Sequence, residues 1–199
     1  MDVTVAIGTY GDESWIETAK RAVASVPNDI PVIHCHRSSL AEARNDALAQ
    51  VKTEWVCYLD ADDELEPGYF EAMFAGTADV RGPIARYIKN GSERLWRPRV
   101  WNHRHNCTAE CLTDGNFILV GAMVRTEIAK QATWREFPWS EDWDFWIQCW
   151  KAGATFETVE GAIYRAHVRD DSRNRAATQA KKLEAHLAIW ETNFGAQAA

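Results

Sequence analysis

Residues 55–63 constrain this chain most. Trp55, Val56, Cys57, Tyr58 and Leu59 run without a polar interruption into Asp60, Asp62 and Asp63. An apolar run with no alternation reads as a strand buried on both faces, as in a parallel sheet covered by helices. Pro67 then opens a predicted helix over residues 68–74. In open α/β sheets ligands bind outside the carboxyl ends of such strands, where these three carboxylates fall. Clustered carboxylates repel one another unless a cation joins them, and hard oxygen donors suit Mg²⁺ or Mn²⁺. Few protein ligands suffice when a diphosphate supplies the remaining oxygens. The stretch therefore reads as a metal–nucleotide site.

Two other acidic-loop readings fail on detail. An EF-hand loop needs glycine at its sixth position, which here, counted from Asp60, holds Leu65. Haloacid-dehalogenase-like phosphatases carry D-x-D-x-[TV] on their first strand, whereas Glu64 stands at the fifth position here and two predicted strands come earlier. The plain alternative is a solvated acidic turn before the helix at Pro67, since acidic groups favour helix N-termini.

A chain of 199 residues with 46% hydrophobic residues and ten Trp suits one domain with a sizeable core. A formal net charge of −7 argues against wholesale electrostatic binding to nucleic acid or anionic membrane. No leader pattern or long apolar run is evident, and five scattered Cys fit reduced thiols, so the expectation is a soluble, cytoplasmic protein.

In chain order, residues 2–7 read as a first strand ending in a turn at Gly8, Thr9, Tyr10 and Gly11. A helix is expected over 12–26, a strand over 32–35, and a helix to 51 opened by the capping box Ser39–Glu42. This β-α-β-α-β-α alternation argues for a parallel, doubly wound sheet. Strands follow over 78–82 and 83–89, with Asn90-Gly91 as a hairpin turn and a return strand at 93–96. Residues 97–115 read as a long loop, 117–124 as an apolar run and 126–132 as a short helix. Ser140 is placed to cap a helix starting at Glu141 and Asp142, with Gly153 just past its end. Strands over 155–159 and 162–167 follow, then a last helix over 176–194. Its apolar face would be Ala180, Leu183, Leu187, Trp190 and Phe194.

Five motifs in order resemble glycosyltransferase family 2: Ile7-Gly8-Thr9-Tyr10, Ala41-Glu42-Ala43-Arg44-Asn45, Leu59-Asp60-Ala61-Asp62-Asp63, Glu141-Asp142-Trp143 and Tyr164-Arg165-Ala166-His167. The resemblance covers residues 2–175. It implies an α/β, GT-A-like fold: a Rossmann-like, mostly parallel sheet flanked by helices. Residues 1–95 would be the nucleotide-sugar half, 96–175 the acceptor-side half and 176–199 a packing helix. It further implies that Thr9 and Tyr10 contact the base or ribose and that Arg44 lies near the nucleotide or its phosphates. Asp60 would face the ribose or metal, and Asp62 (the last acid of the D-x-D motif) would hold Mn²⁺ or Mg²⁺ on the diphosphate. His167 would be a third metal or phosphate contact. Asp142 would be the general base of an inverting transfer of a sugar from a nucleoside-diphosphate sugar to an acceptor hydroxyl. The chemistry is consistent with those roles: a Lewis acid steadies the departing diphosphate, and a carboxylate takes the acceptor proton. Glu141 beside Asp142 would raise its proton affinity.

One departure matters. Family members usually carry an acidic segment resembling D-[DN]-x-S-x-D after the second strand, and here His34-Cys35-His36-Arg37 leads straight to Ser38. The base-reading carboxylate of that segment is missing; His34, His36 or Arg37 could stand in, and the donor base stays open.

On the acceptor side, Arg81, Arg86, Lys89, Arg94, Arg97, Arg99 and Arg104 stand against Glu93 alone, interleaved with Trp96 and Trp101. With Trp139, Glu141 and Trp143, residues Arg97, Arg99 and Trp101 are acceptor-side candidates. Basic residues with aromatics suit a phosphorylated acceptor or a nucleic-acid strand, and they equally suit a hairpin with solvated arginines. His103, His105, Cys107 and Cys111 are zinc-ligand types, but the spacing is cramped and no Cys-x₂-Cys knuckle is present, so ordinary loop residues are the expected reading. The rivals are a nucleotidyltransferase and a non-catalytic nucleic-acid- or sugar-binding protein on a degenerate GT-A fold. The first leaves Glu141, Asp142 and His167 without a role, and the intact carboxylates argue against the second.

Overall fold

The structure, a computed structural model, describes residues 1–97, 112–169 and 178–195. The described residues form one eight-stranded mixed sheet in the order β2-β1-β3-β7-β5-β8-β4, with β6 paired to β5. Its strands are β1 (Val3–Tyr10), β2 (Val32–Arg37), β3 (Trp55–Tyr58), β4 (Glu64–Leu65), β5 (Val80–Lys89), β6 (Ser92–Trp96), β7 (Met123–Arg125) and β8 (Phe156–His167). The helices are α1 (Ser14–Ala24), α2 (Leu40–Gln50), α3 (Tyr69–Ala75), α4 (Thr126–Ala129), α5 (Glu141–Lys151) and α6 (Gln179–Phe194).

Strand periodicity divides the core in two. On one face Val3, Val5, Ile7, Trp55 and Cys57 pack with α1 and α3 through Ala19, Ala22, Tyr69, Phe70 and Met73. On the other, Ala6, Val56 and Tyr58 meet α2, α4, α5 and α6. Successive strand side chains point to opposite faces, so one unbroken apolar strand feeds both cores. The second core is largely aromatic. Trp134 stacks on Phe145 at a centroid distance of 4.2 Å, and Tyr58 meets both rings edge-on at 4.9 and 5.4 Å. Each such pair is worth about 0.5–1.5 kcal/mol beyond its buried area.

Several expectations change in three dimensions. Gly8, Thr9 and Tyr10 belong to β1, because they pair in parallel with Cys35, His36 and Arg37; the turn lies at Gly11, whose φ is +80°. The expected strands 78–82 and 83–89 are one strand, β5, as are 155–159 and 162–167 in β8. The pair shares a register shift at Pro83/Ile84, where proline has no N–H for the ladder. β4 is too short to carry a pattern of its own and exists because it pairs with Tyr164 and Arg165. Ser39 caps α2 as expected by accepting from the Glu42 N–H, while the Glu42 carboxylate reaches back to Ser38. Ser140 does not cap α5. It sits at φ +59°, and its hydroxyl lies 3.1 Å from His186 Nε2 on α6.

The apolar face expected for α6 is also corrected. Leu183, Leu187 and Trp190 are exposed and the helix buries Ala185, Ile189 and Asn193 instead, while Phe194 of the expected face does pack against the core. A polar contact decides the orientation: Asn193 donates to Asp144 Oδ1 at 2.7 Å, and the fully buried Asp144 also accepts from Arg135 and Gln148. A buried carboxylate needs such partners, and that demand outweighs a stripe of leucines.

Candidate active site

β1 runs parallel to β2 and β3, β7 runs antiparallel to both β3 and β5, and β8 runs parallel to β5. The carboxyl ends of β1, β2, β3, β5 and β8 therefore share one edge of the sheet. Thr9 and Tyr10, His34 and His36, Asp60 to Asp63, and His167 all lie there, at the edge where α/β sheets bind ligands.

Arg44 is the centre of this edge. It enters from α2, only 3% exposed, and donates to Asp60 Oδ1 at 2.7 Å and to Glu141 Oε1 at 3.2 Å. Its guanidinium lies 4.3 Å above the Trp134 ring. Burial by itself would depress this guanidinium, but Asp60 and Glu141 hold it above its usual range. One buried cation thus ties the loop after β3 to the first turn of α5.

The acidic loop is crowded. Asp63 is buried and accepts the His167 N–H at 2.7 Å, while the Asp60 N–H donates to Tyr164 Oη at 3.3 Å. Burial, then the charges of Asp60 and Asp62, push Asp63 well above the ordinary carboxylate range. Burial and Asp60 push Asp62 the same way. Such crowding is what a cation relieves, and Asp60 and Asp62 are the donors that suit Mg²⁺ or Mn²⁺. Among the described residues no three His, Cys, Asp or Glu side chains are arranged to hold a metal ion. The His167 ring lies on Glu64 Oε2 at 2.6 Å.

Asp142 sits in the first turn of α5, where Oδ1 accepts the Trp143 N–H at 2.9 Å and Oδ2 accepts from Asn116 Nδ2 at 2.8 Å. Burial, then the charge of Glu141, push its carboxyl up to about 7. Tyr87 on β5 has its phenol in the field of both Asp63 and Asp142. Thr9 is buried with its hydroxyl 2.8 Å from His34 Nε2 and 3.0 Å from His36 Nδ1, and Tyr10 next to it is exposed. Burial, then the charge of His36, lowers the pKa of His34.

The acceptor-side candidates scatter. Trp143 is buried, its indole N–H donating to the Leu112 carbonyl, while Trp139 is half-buried. Glu141 is buried on Arg44, and Arg97 is exposed, 3.9 Å from Glu160. Arg99, Trp101 and the four zinc-type residues His103, His105, Cys107 and Cys111 lie outside the described residues. Two members of the basic stretch are engaged within the protein. Arg81 is buried 4.1 Å from the Trp55 ring, and Arg86 pairs with Glu66 at 2.5 Å. Sequence reasoning missed Trp134, Asn116 and Tyr87, which carry no local spacing signal because each meets its partner only through the fold.

The family model described as "Glycosyl transferase family 2" matches residues 12–131. The chain belongs to glycosyl transferase family 2. The matched span holds Arg44 and the acidic loop, and Asp142 and His167 lie beyond it. No curated protein matches the chain. Among solved structures, residues 1–349 of S. aureus TarS in complex with UDP-GlcNAc align with a TM-score of 0.69 at 14% identity, over 97% of this chain and 66% of that one. The same TarS segment with UDP aligns with a TM-score of 0.62, also at 14% identity, over 97% and 65%. A further TarS structure gives 0.61 at 14% identity, over 95% of this chain and 39% of that chain. At this identity the likeness establishes the fold, which is GT-A-like, and the chain spans about two thirds of each of the two TarS complexes and 39% of the further TarS chain.

Proposed function

We propose that this family 2 protein moves a sugar from a nucleoside-diphosphate sugar to an acceptor hydroxyl, with inversion at the anomeric carbon. The observation that carries the reading is the Arg44 bridge, which sets the acidic loop and the Glu141–Asp142 turn side by side on the ligand-binding edge. In this reading residues 1–95 hold the donor and residues 96–175 face the acceptor. Thr9 and Tyr10 meet the nucleoside, with His34 and His36 beside them where the usual acidic segment is missing. Asp60 and Asp62 would hold Mn²⁺ or Mg²⁺, which when bound supplies positive charge to the departing diphosphate.

Asp142 takes the acceptor proton as the hydroxyl oxygen attacks the anomeric carbon and the bond to the diphosphate breaks. A base that titrates near neutrality combines a useful ionised fraction with adequate proton affinity. Glu141 keeps that affinity high, and Arg44 offsets the buried Glu141 charge through their ion pair.

The test is thermal melting with UDP, GDP, CDP, ADP and dTDP, each with and without Mn²⁺, because a ligand of the folded state raises apparent stability. The TarS complexes make UDP the first to try. A shift with one diphosphate that needs Mn²⁺ and is lost in Asp62→Asn is the expected result. No shift with any of them overturns the donor assignment. Asp142→Asn should keep the shift and lose transfer, and normal transfer by that variant removes Asp142 as the base.

A further inference from the structure

Asn116 is held at both ends of its amide. Nδ2 donates to Asp142 Oδ2 at 2.8 Å, and Oδ1 accepts the Ile118 N–H at 3.0 Å. The reversed amide would set its oxygen against a carboxylate and its NH₂ against an N–H, so the hydrogen-bond pattern admits one orientation. Asn116 is itself exposed, but its neighbours are packed. Phe117 and Ile118 are buried in the core, and the Trp143 indole ties Leu112 to the same turn of α5.

The Asp142 carboxylate is therefore gripped from two sides, by the Trp143 N–H on Oδ1 and by Asn116 on Oδ2. One bond comes from its own helix and cannot orient the carboxylate alone. The other comes from a residue 26 positions earlier in the chain, on the segment leading into β7.

We propose that Asn116 is the positioning residue for the base, fixing the orientation in which the Asp142 carboxylate meets the acceptor hydroxyl. This rests on Asp142 having that role. A hydrogen bond donated to a carboxylate favours its ionised form. Asn116 thus opposes burial and Glu141, which favour the protonated form, and acts in the same direction as Arg44. Tyr87 on β5 is a neutral phenol within the electrostatic reach of the same carboxylate. The Asn116 contribution is separable because the residue is uncharged and touches Asp142 directly.

The experiment follows the side-chain carboxyl resonance of Asp142 by NMR as pH is varied, assigned by its loss in Asp142→Asn. Asn116→Ala should raise the titration midpoint by about one pH unit, the scale of one hydrogen bond to a charged group. The acidic limb of UDP release from UDP-GlcNAc should move by the same amount, with the UDP-induced melting shift unchanged. Asn116→Asp keeps the side-chain shape and sets a second carboxylate against the first, so it should raise the midpoint further. A purely structural role would lower the melting temperature and leave the midpoint in place. An unmoved midpoint in a folded Asn116→Ala or Asn116→Asp protein overturns the proposal. Normal transfer by Asp142→Asn would instead overturn the base assignment, and the midpoint shift would still report the Asn116 contact.

Discussion

Gly8 on β1 and Arg44 on α2 compete for one volume: a Cβ on Gly8 would lie 2.9 Å from Arg44 Cγ and 3.3 Å from the Arg44 main-chain N. The glycine of the first motif therefore serves the arginine of the second. It leaves room for the stem of Arg44 to pass under β1 and reach Asp60 and Glu141.

Gly8→Ala should destabilise the protein by about 1–3 kcal/mol, because the obstructing atoms are the base of a side chain and its backbone. The backbone at Gly8 is not left-handed, so the effect is steric. Urea denaturation measures it, and an unchanged midpoint would mean that α2 moves aside freely.

Arg44→Met keeps most of the side-chain volume and removes the cation, so the buried Glu141 loses its ion pair with Arg44. The expected loss is about 3–5 kcal/mol. Adding Glu141→Gln removes the buried charge that faced Arg44, so the double variant should recover part of that loss. A double variant as unstable as the single one would show that the Arg44 stack on Trp134, rather than the ion pair, dominates.

The pH dependence of stability has a definite sign. Asp142 titrates near 7 in the folded protein against an ordinary value of 3.8, and Asp62 and Asp63 are shifted upward as well. Between those pH values folded Asp142 binds more protons than it does unfolded, so it reduces stability as pH rises from about 4 to about 7, and the upward shifts of Asp62 and Asp63 act in the same direction. Asp142→Asn removes one of these contributions. Its gain over the unsubstituted protein in urea melts should be larger at pH 8 than at pH 5, and an equal gain at both would exclude the elevated titration.

The corrected face of α6 makes two substitutions diverge. Leu183→Glu lies on the exposed side and should change stability by no more than about 0.5 kcal/mol. Asn193→Ala removes a donor to Asp144 and an acceptor from Arg135, and should cost about 1–3 kcal/mol. The reverse ranking would restore the leucine face as the packing face.

Much of the fold was legible because it is local. The unbroken apolar run at Trp55–Tyr58, the Ser39–Glu42 cap, the Asn90-Gly91 turn and the Glu141–Lys151 helix each follow from neighbours within a few positions. The motifs were legible one by one, and Asp60, Asp62, Arg44, Asp142 and His167 lie toward one edge of the sheet. Their pairings were not legible. Nothing near Arg44 in the chain announces Glu141, and nothing near His167 announces Glu64.

The sequence by itself determined most helices, the buried strand at Trp55–Tyr58 and the hairpin at Asn90-Gly91, and which residues carry the charge, because propensity, periodicity and capping act over a turn or two. Only the tertiary structure decided that Arg44 spans two acidic segments, that Asn116 holds Asp142, and that α6 turns its leucines outward. The reason is physical. A buried ionised or polar group must find a partner wherever the fold brings one, and that requirement acts across the whole chain rather than along it.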